Sequence, residues 1–330
     1  MLKSLSLALA AAAALAVPAQ AKMPEQLNFG IISTESTTAL EKSFGPFLAD
    51  MEKSLGVKVK SFFASDYAGV IEAMRFKKVD VAWFGNKSAI EAVDRAGGEV
   101  FAQTIKDNGE IGYHSLLIVN KDSPINSLAD VLKCDKSLTF GNGDPNSTSG
   151  FAVPGYYVWA VNNKTPEECF KRVMSSNHEG NALAIATKKV DVATNNTESL
   201  YARLAKTNAE AAAQIKEIWR SPLIPSDPIV WRADLDQDVK ERIYFFFMQY
   251  GRTGSLEKVK AERAILKNLS DGWGPFLASS NAQLLSTRQI ELYKTKLKAE
   301  KANDKAGIEK ADADLKKLED HMAVIGKGGY

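Results

Sequence analysis

The sequence has few of the residues on which metal-binding and catalytic proteins usually depend. Its 330 residues include two cysteines and three histidines, and these are not grouped at the spacing of metal ligands. It also contains no Gly-x-Ser-x-Gly turn, no Walker motif and no Gly-x-Gly-x-x-Gly motif. The sequence therefore predicts a protein without a metal, without a cofactor and without enzymatic activity.

The sequence also lacks an excess of one charge and, after its first residues, any long apolar run. Lys and Arg number 42 against 40 Asp and Glu, so the formal net charge is +2 and gives no electrostatic signal for nucleic acid or an anionic membrane. After residue 21 no stretch approaches the ~18 apolar residues of a transmembrane helix. A chain longer than about 250 to 300 residues favours two domains over one.

The first 21 residues have the pattern of a secretory signal peptide. One positive charge at Lys3 precedes an Ala/Leu-rich run to about Val17, and Ala-Gln-Ala ends the segment. This pattern predicts cleavage after Ala21. The run is too short for a permanent membrane anchor, so we expect an exported, unanchored chain.

The two cysteines are placed where they could meet. Cys134 and Cys169 each lie four residues before a predicted strand, which begins at Leu138 and at Val173 respectively. If these strands are parallel neighbours, both thiols lie at the same sheet end, and an exported protein can form a disulfide there. Two free thiols remain an alternative, and so does a further strand between them.

A six-residue sequence, Lys-Lys-Val-Asp-Val-Ala, occurs twice, at 77–82 and at 188–193. Each copy follows a predicted amphipathic helix, Tyr67–Phe76 in the first and Asn181–Thr187 in the second. Each then runs into a polar turn that contains Asn. The repeat predicts two α/β domains with mostly parallel sheets, in which ligands bind beyond the carboxyl ends of the strands.

Two crossings between these domains are predicted. The strand Ser115–Asn120 leads into a proline-containing turn at 121–124, and three prolines lie close together within 220–228. Because proline restricts the backbone dihedrals, such segments make directed connections. Two crossings between two lobes form a hinge, and the cleft between the lobes is a common place for a small ligand.

The crossings set the expected domain boundaries. Lobe 1 is expected to comprise residues 22–119 and 226–280, and lobe 2 residues 120–225. Residues 281–330 are rich in Lys, Glu, Asp and Ala with a long apolar stripe, which predicts a helical tail that packs on lobe 1. A homodimer contact through this tail is the alternative.

Three adjacent hydroxyl residues follow a strand and a turn. Ser147, Thr148 and Ser149 come after the strand that begins at Leu138 and precede a predicted helix, Phe151–Ala160, whose N-terminus favours negative charge. No Lys or Arg lies between residues 138 and 163. An oxyanion held there by neutral donors suits reversible capture better than phosphoryl transfer. A simple helix cap is the alternative interpretation.

Other polar residues are expected at the same cleft. Asp66 is a predicted helix cap that leaves Tyr67 free to reach across, and His178 lies in the loop before the second repeat helix. Glu198 and Asp227 lie on the second repeat loop and the return crossing, where two carboxylates could bind a cation. Each residue could instead be a cap or a structural hydrogen-bond partner.

A hydrolase is the competing interpretation from another class. The hydroxyl cluster at 147–149 could be combined with His178 and Asp144 into a catalytic triad. Such residues are common in any sequence, and only their geometry defines a triad.

The chain resembles the phosphonate-binding periplasmic proteins of ABC importers, particularly the 2-aminoethylphosphonate-binding type. The resemblance covers nearly all of the chain after the predicted signal peptide. The stretches that carry it are Leu27 to Ser36, Asp66 to Gly69, Val79 to Asn86, Leu138 to Gly150, Val190 to Glu198 and Ser221 to Trp231.

This resemblance implies a type II periplasmic binding fold that closes over a phosphonate and delivers it to a membrane permease and its ATPase. It implies that the phosphonate is held by Tyr67, Ser147, Thr148, Ser149 and His178. It implies that the ligand amine is held by Glu198, Asp227 and Tyr113. Another phosphorus oxyanion or a phosphate ester is the alternative ligand, and a periplasmic sensor subunit is the alternative role.

Overall fold

Two β-sheets form the frame of the molecule, one in each of two lobes. The computed structural model describes residues 23–270 and 272–327. The predicted signal peptide, residues 1–21, lies outside the described residues. Within those two ranges, no helix is both long enough and apolar enough to span a bilayer.

Lobe 1 has a six-stranded sheet flanked by helices. Its strands are β1 (Gln26–Ile31), β2 (Lys58–Phe63), β3 (Val81–Trp83), β4 (Gly98–Gln103), β12 (Pro228–Arg232) and β13 (Leu277–Ala278), in the spatial order β13-β4-β12-β3-β1-β2. Its helices are α1 (Thr37–Leu55), α2 (Tyr67–Arg75), α3 (Asn86–Ala96), α9 (Gln237–Gln249) and α10 (Leu256–Asn268). Aromatic rings fill the core between sheet and helices, with Phe47 in contact with Phe246 and Phe247.

Lobe 2 has a five-stranded sheet. Its strands are β6 (Ser115–Asn120), β7 (Thr139–Asn142), β8 (Arg172–Ser175), β9 (Val192–Asn196) and β10 (Ile215–Arg220), in the spatial order β10-β6-β9-β7-β8. Its α-helices are α4 (Leu128–Val131), α5 (Pro166–Cys169), α6 (His178–Ala186), α7 (Ala205–Thr207) and α8 (Ala209–Ala212). Wide-turn π-helical segments cover Thr148–Ala152, Gly155–Trp159 and Glu198–Leu204, and a 3₁₀ turn covers Ala160–Asn162.

The repeated six-residue sequence folds in the same way in both lobes. Its first lysine is left-handed in each copy, with φ 58° at Lys77 and at Lys188. In both lobes that lysine closes the preceding helix by donating its N–H to a helix carbonyl, that of Met74 or that of Ile185. Strand β1 is parallel to β2 and β3, just as β7 is parallel to β8 and β9. Two α/β domains of similar topology are thereby confirmed.

Both sheets are mixed, where the sequence predicted mostly parallel ones. In the described part of the two large sheets, four strand pairs are parallel and five are antiparallel. One antiparallel pair joins β13 to β4, and the other four involve β6 or β12. Each of the latter two strands enters its sheet directly from a crossing between the lobes, so it runs against the repeated unit.

The hinge is a short antiparallel pair, β5 (Gly112–Tyr113) with β11 (Ile224–Pro225). The return crossing therefore lies within the proline-rich stretch as predicted. The outward crossing precedes β6, because this fully buried strand pairs with β9 and β10 in lobe 2. The expected boundary between residues 119 and 120 is consequently wrong, since residues 115–119 belong to lobe 2.

The C-terminal tail contains a 3₁₀ turn (Asn281–Leu284) and two helices, α11 (Leu285–Lys301) and α12 (Lys305–Lys327). It does not pack on lobe 1 alone. Arg288 donates to both carboxylate oxygens of Asp94 in lobe 1, whereas Lys301 donates to both oxygens of Glu168 in lobe 2. Helix α11 is long enough to reach both lobes, which corrects the expected packing.

The two cysteines form a disulfide, as the strand argument predicted. Strand β7 pairs directly with β8, so no strand separates the segments that carry Cys134 and Cys169. The bond joins two residues that are 35 positions apart in the sequence. It lies beside the buried aromatic cluster of Phe140, Trp159 and Phe170. It ties the outer edge of lobe 2 together.

Removal of this bond should destabilise the protein. We expect the double variant Cys134→Ser/Cys169→Ser to lose about 3 to 4 kcal/mol of unfolding free energy, because the open loop gains chain entropy in the unfolded state. Urea unfolding of the oxidised protein, the reduced protein and the variant measures this. The reduced protein and the variant should coincide, and a variant as stable as the oxidised protein would contradict the prediction.

Candidate functional site

A small buried cavity lies between the two lobes beside the hinge. The volume open to a water-sized sphere is only about 10 Å³, roughly the space of one water molecule, so the lobes are closed tightly around the site. It is lined by Ile32, Thr34, Tyr67, Trp83, Gly85, Tyr113, Ser147, Thr148, Ser149, His178, Asn196, Glu198, Arg203 and Asp227. All eight residues predicted for the site are brought together here, from both lobes and the hinge.

The hydroxyl cluster is positioned by a tight turn. Ser147 Oγ accepts the N–H of Gly150 at 2.9 Å, which caps the helical segment that begins at Thr148. The segment thus starts three residues before the predicted position. A Cβ on Gly143 would lie 2.5 Å from the backbone of Gly150, so a glycine is needed where the turn folds back on the helix. Pro154, which lacks an N–H, lies between the two wide-turn segments.

Lobe 1 meets this cluster through backbone donors. The N–H of Lys87 donates to Thr148 Oγ1 at 2.8 Å, and the N–H of Tyr67 donates to Asp144 Oδ2 at 3.2 Å. Burial raises the pKa of the Tyr67 phenol, and the charges of Asp144 and Asp227 raise it further. Tyr67 therefore keeps its proton and can act as a hydrogen-bond donor in the cavity.

His178 begins α6, one residue after the Asn177 cap, and its ring lies among the hydroxyl groups. Its Nε2 is 3.5 Å from the Oγ atoms of Ser147 and Ser149 and 3.2 Å from Nδ2 of Asn196. Burial, helped by the positive charge of Arg203, lowers the pKa of His178 to about 3. The imidazole is therefore neutral at physiological pH, and this wall consists of neutral polar groups.

The catalytic triad of the hydrolase interpretation does not form. In a triad a carboxylate accepts from the histidine Nδ1 and orients the ring. In the described chain Nδ1 of His178 has no hydrogen-bond partner. Asp144 instead accepts from the backbone N–H groups of Tyr67 and Asn146. The serines lack the arrangement that would activate one of them as a nucleophile.

Two buried carboxylates occupy another wall. Asp227 is 8% exposed and accepts from Trp83 Nε1 at 3.0 Å and from the hydroxyl of Tyr113 at 3.1 Å. Glu198 is 9% exposed. Burial, followed by the charges of Asp227 and Glu198, raises the pKa of the Tyr113 phenol. Tyr113 therefore remains a donor to Asp227, and neutral donors fix the orientation of this carboxylate.

Besides the eight predicted residues, Ile32 and Gly85 and four residues with side-chain hydrogen-bonding groups line the cavity. The sequence argument did not assign these four to the site. Asn196 Nδ2 donates to Ser149 Oγ at 3.0 Å, and Thr34 has a buried hydroxyl without a hydrogen-bond partner. Trp83 and Arg203 complete this group. The signal for Asn196, Thr34 and Trp83 was their position just after or at the end of a strand. Arg203 lies within a helical segment and had no such signal.

The described residues contain no group of three His, Cys, Asp or Glu side chains placed to hold a metal ion. The cavity therefore combines neutral hydrogen-bond donors, two carboxylates and the guanidinium of Arg203, without a metal site among these residues. A two-lobed α/β fold with a small polar cavity at its hinge defines the class of solute-binding proteins that enclose one small ligand.

Comparison with known proteins identifies the family. Residues 29–284 match the family model of the periplasmic substrate-binding proteins of phosphonate ABC transporters. The chain belongs to this family. It is the periplasmic phosphonate-binding component of an ABC transporter and not an enzyme.

Individual relatives agree with this result. The chain is 59% identical over 278 residues to a phosphonates-binding periplasmic protein of Escherichia coli, covering 84% of this chain and 79% of that one. A crystal structure of a binding protein component of a phosphonate ABC transporter from Pseudomonas aeruginosa is 52% identical, with a TM-score of 0.86 over 91% of this chain and 99% of that one.

A more distant structure shares the fold. It comes from Prochlorococcus marinus, was solved in complex with methylphosphonate, and has 22% identity and a TM-score of 0.69 over 82% of this chain and all of that one. These similarities confirm the predicted two-lobed periplasmic binding fold.

The neutral state of His178 predicts a pH dependence of stability. The pKa falls from the ordinary value of 6.5 to about 3 in the fold. As the pH falls below about 6.5, this histidine takes up a proton in the unfolded chain but not in the folded one. The unfolding free energy therefore decreases as the pH drops from about 6.5 towards 3. Urea unfolding of His178→Gln should show a shallower decline than the parent between about pH 7 and pH 4. The exposed His321→Gln is the control, and equal slopes for all three proteins would contradict a neutral His178.

The unpartnered hydroxyl of Thr34 predicts a ligand contact. Thr34→Val keeps the shape of the side chain and removes the hydroxyl. We expect the phosphonate affinity to fall about 3- to 10-fold, which is the effect of losing one neutral hydrogen bond. Thr194 also has a buried hydroxyl without a partner but does not line the cavity, so Thr194→Val is the matched control. Titration calorimetry measures both, and equal affinities of the two variants would disprove the contact.

Proposed function

We propose that this protein captures 2-aminoethylphosphonate in the cavity between its lobes and delivers it to the permease and ATPase of an ABC importer. The phosphonate is assigned to Tyr67, Ser147, Thr148, Ser149 and His178. The ligand amine is assigned to Glu198, Asp227 and Tyr113. The observation that carries the proposal is the presence of neutral polar groups and of two buried carboxylates within one small cavity.

The wall of neutral groups suits a phosphonate. Phosphonate oxygens accept hydrogen bonds, and the hydroxyl groups of residues 147–149 together with the phenol of Tyr67 are able to donate them. The neutral ring of His178 lies within 3.5 Å of two of these hydroxyls and can present one N–H. Such a cradle binds the oxyanion without offering a nucleophile or a metal, as capture and release require.

The acidic wall suits an ammonium group. Asp227 is oriented by the indole of Trp83 and the phenol of Tyr113, both neutral, so these contacts leave its negative charge in place. An ammonium donor would form charge-assisted hydrogen bonds with Asp227 and Glu198. A zwitterion with an oxyanion and an ammonium separated by two methylene groups satisfies both walls at once.

Another phosphorus oxyanion or a phosphate ester is the alternative ligand. The neutral cradle alone does not distinguish a phosphonate from an ester, and the Prochlorococcus marinus protein of the same fold was solved with a phosphonate that has no amine. Such a ligand would leave Glu198 and Asp227 without a cation from the ligand, which is costly for buried carboxylates.

The homodimer through the C-terminal tail stays a prediction.

Calorimetric titration with three ligands tests the amine assignment. We expect 2-aminoethylphosphonate to bind roughly 10- to 100-fold more tightly than ethylphosphonate, as charge-assisted hydrogen bonds of about 1.5 to 3 kcal/mol imply, and free phosphate to bind weakly. Glu198→Gln and Asp227→Asn should lose affinity for the amine ligand but keep that for ethylphosphonate. Glu217→Gln is the control, because Glu217 pairs with Arg220 outside the cavity.

Two outcomes would overturn the proposal. Equal binding of all three ligands would remove the amine from the recognition and leave a general phosphorus-oxyanion receptor. If the two carboxylate variants lost affinity for ethylphosphonate and for 2-aminoethylphosphonate by the same factor, these residues would not recognise the amine.

A further inference from the structure

Two segments of lobe 2 that carry proposed ligand residues also contact one short segment of lobe 1. Glu179, which follows His178, accepts the backbone N–H of Ser36 at 2.8 Å. Arg203, which lies in the same helical segment as Glu198, forms an ion pair with Glu35 at 2.5 Å. Consecutive residues after β1 therefore hold both ligand-binding segments of the opposite lobe.

The contacts of Arg203 with lobe 1 are buried. Arg203 is 7% exposed, and the Glu35 side chain is 12% exposed. Arg203 also donates to the hydroxyl of Ser270, another lobe 1 residue. A buried guanidinium needs such partners, because removing one partner from a buried ion pair leaves an uncompensated charge. These two contacts of Arg203 with Glu35 and Ser270 are therefore made only while the lobes are together.

The segment Glu198–Leu204 connects this ion pair to the ligand cavity. It is one continuous helical stretch with Glu198 at its start and Arg203 near its end, and both residues line the cavity. A displacement that brings Glu198 to a ligand therefore also brings Arg203 to Glu35 and Ser270. The two events are coupled by the rigidity of a single helical segment.

We propose that Arg203 is a positioning residue that holds the closed form through Glu35 and Ser270, and so sets how long a captured phosphonate stays bound. The inference rests on the proposed ligand site, but not on the amine. Because the pair forms when the lobes close, its loss should speed ligand dissociation and leave association unchanged.

Stopped-flow kinetics of Arg203→Met and Arg203→Lys test this. We expect dissociation of 2-aminoethylphosphonate and of methylphosphonate to be accelerated by the same factor in Arg203→Met, at least about tenfold, since a buried ion pair is broken. The lysine variant keeps the charge and should recover part of the loss. Arg220→Met is the matched control, because Arg220 pairs with Glu217 within lobe 2.

A double-variant cycle with Glu35→Gln identifies the partner. The effects of Glu35→Gln and Arg203→Met on dissociation should be less than additive if the two residues act through their pair. The ligand-free variants should unfold at the parent temperature, since an opened pair contributes little. Unchanged dissociation, or slower association with normal dissociation, would overturn the proposal.

The outcome separates this proposal from the ligand assignment. Failure of 2-aminoethylphosphonate to bind would contradict the proposed ligand, while methylphosphonate would still report on closure. A large loss of thermal stability in ligand-free Arg203→Met would instead assign Arg203 a structural role and contradict the closure role.

Discussion

The meeting of the two lobes is the constraint on which the rest of the structure depends. Neither lobe contains the whole cavity: the hydroxyl cluster and Glu198 belong to lobe 2, Tyr67 and Asp227 belong to lobe 1, and Tyr113 lies in the hinge. Buried polar groups need hydrogen-bond partners, and some of the partners here lie across the cleft. The contact between Lys87 N–H and the Thr148 hydroxyl shows how backbone groups of one lobe satisfy side chains of the other.

The internal repeat explains why the polar loops face each other. In both lobes the same parallel unit of three strands directs its carboxyl ends, and the loops that follow them, towards the cleft. The hinge strands then place the two units opposite one another. The same folding unit, present twice, therefore brings both donors and carboxylates from each lobe to the cleft. The loops differ in sequence between the two copies, and they carry many of the residues that line the cavity.

Local patterns predicted much of this structure. The strand Ser115–Asn120 was predicted from a continuous apolar run, the helix that starts at Tyr67 from its cap, and the disulfide from the spacing of the cysteines. Seven of the eight residues predicted for the site were identified from strand ends, helix caps and loops, and Tyr113 was identified from the family resemblance alone. The antiparallel strands, the first crossing and the partners of Arg203 depend on contacts between distant segments. No local pattern encodes those contacts.

The helix α11 has a mechanical consequence. It is fastened to lobe 1 through Arg288 and Asp94 and to lobe 2 through Lys301 and Glu168. Any separation of the lobes must break one of these attachments or move the helix with the lobe that keeps it. The tail is thus a second connection between the lobes, in addition to the hinge strands. A relative movement of the lobes would therefore have to be accommodated at two places, at the hinge and along α11.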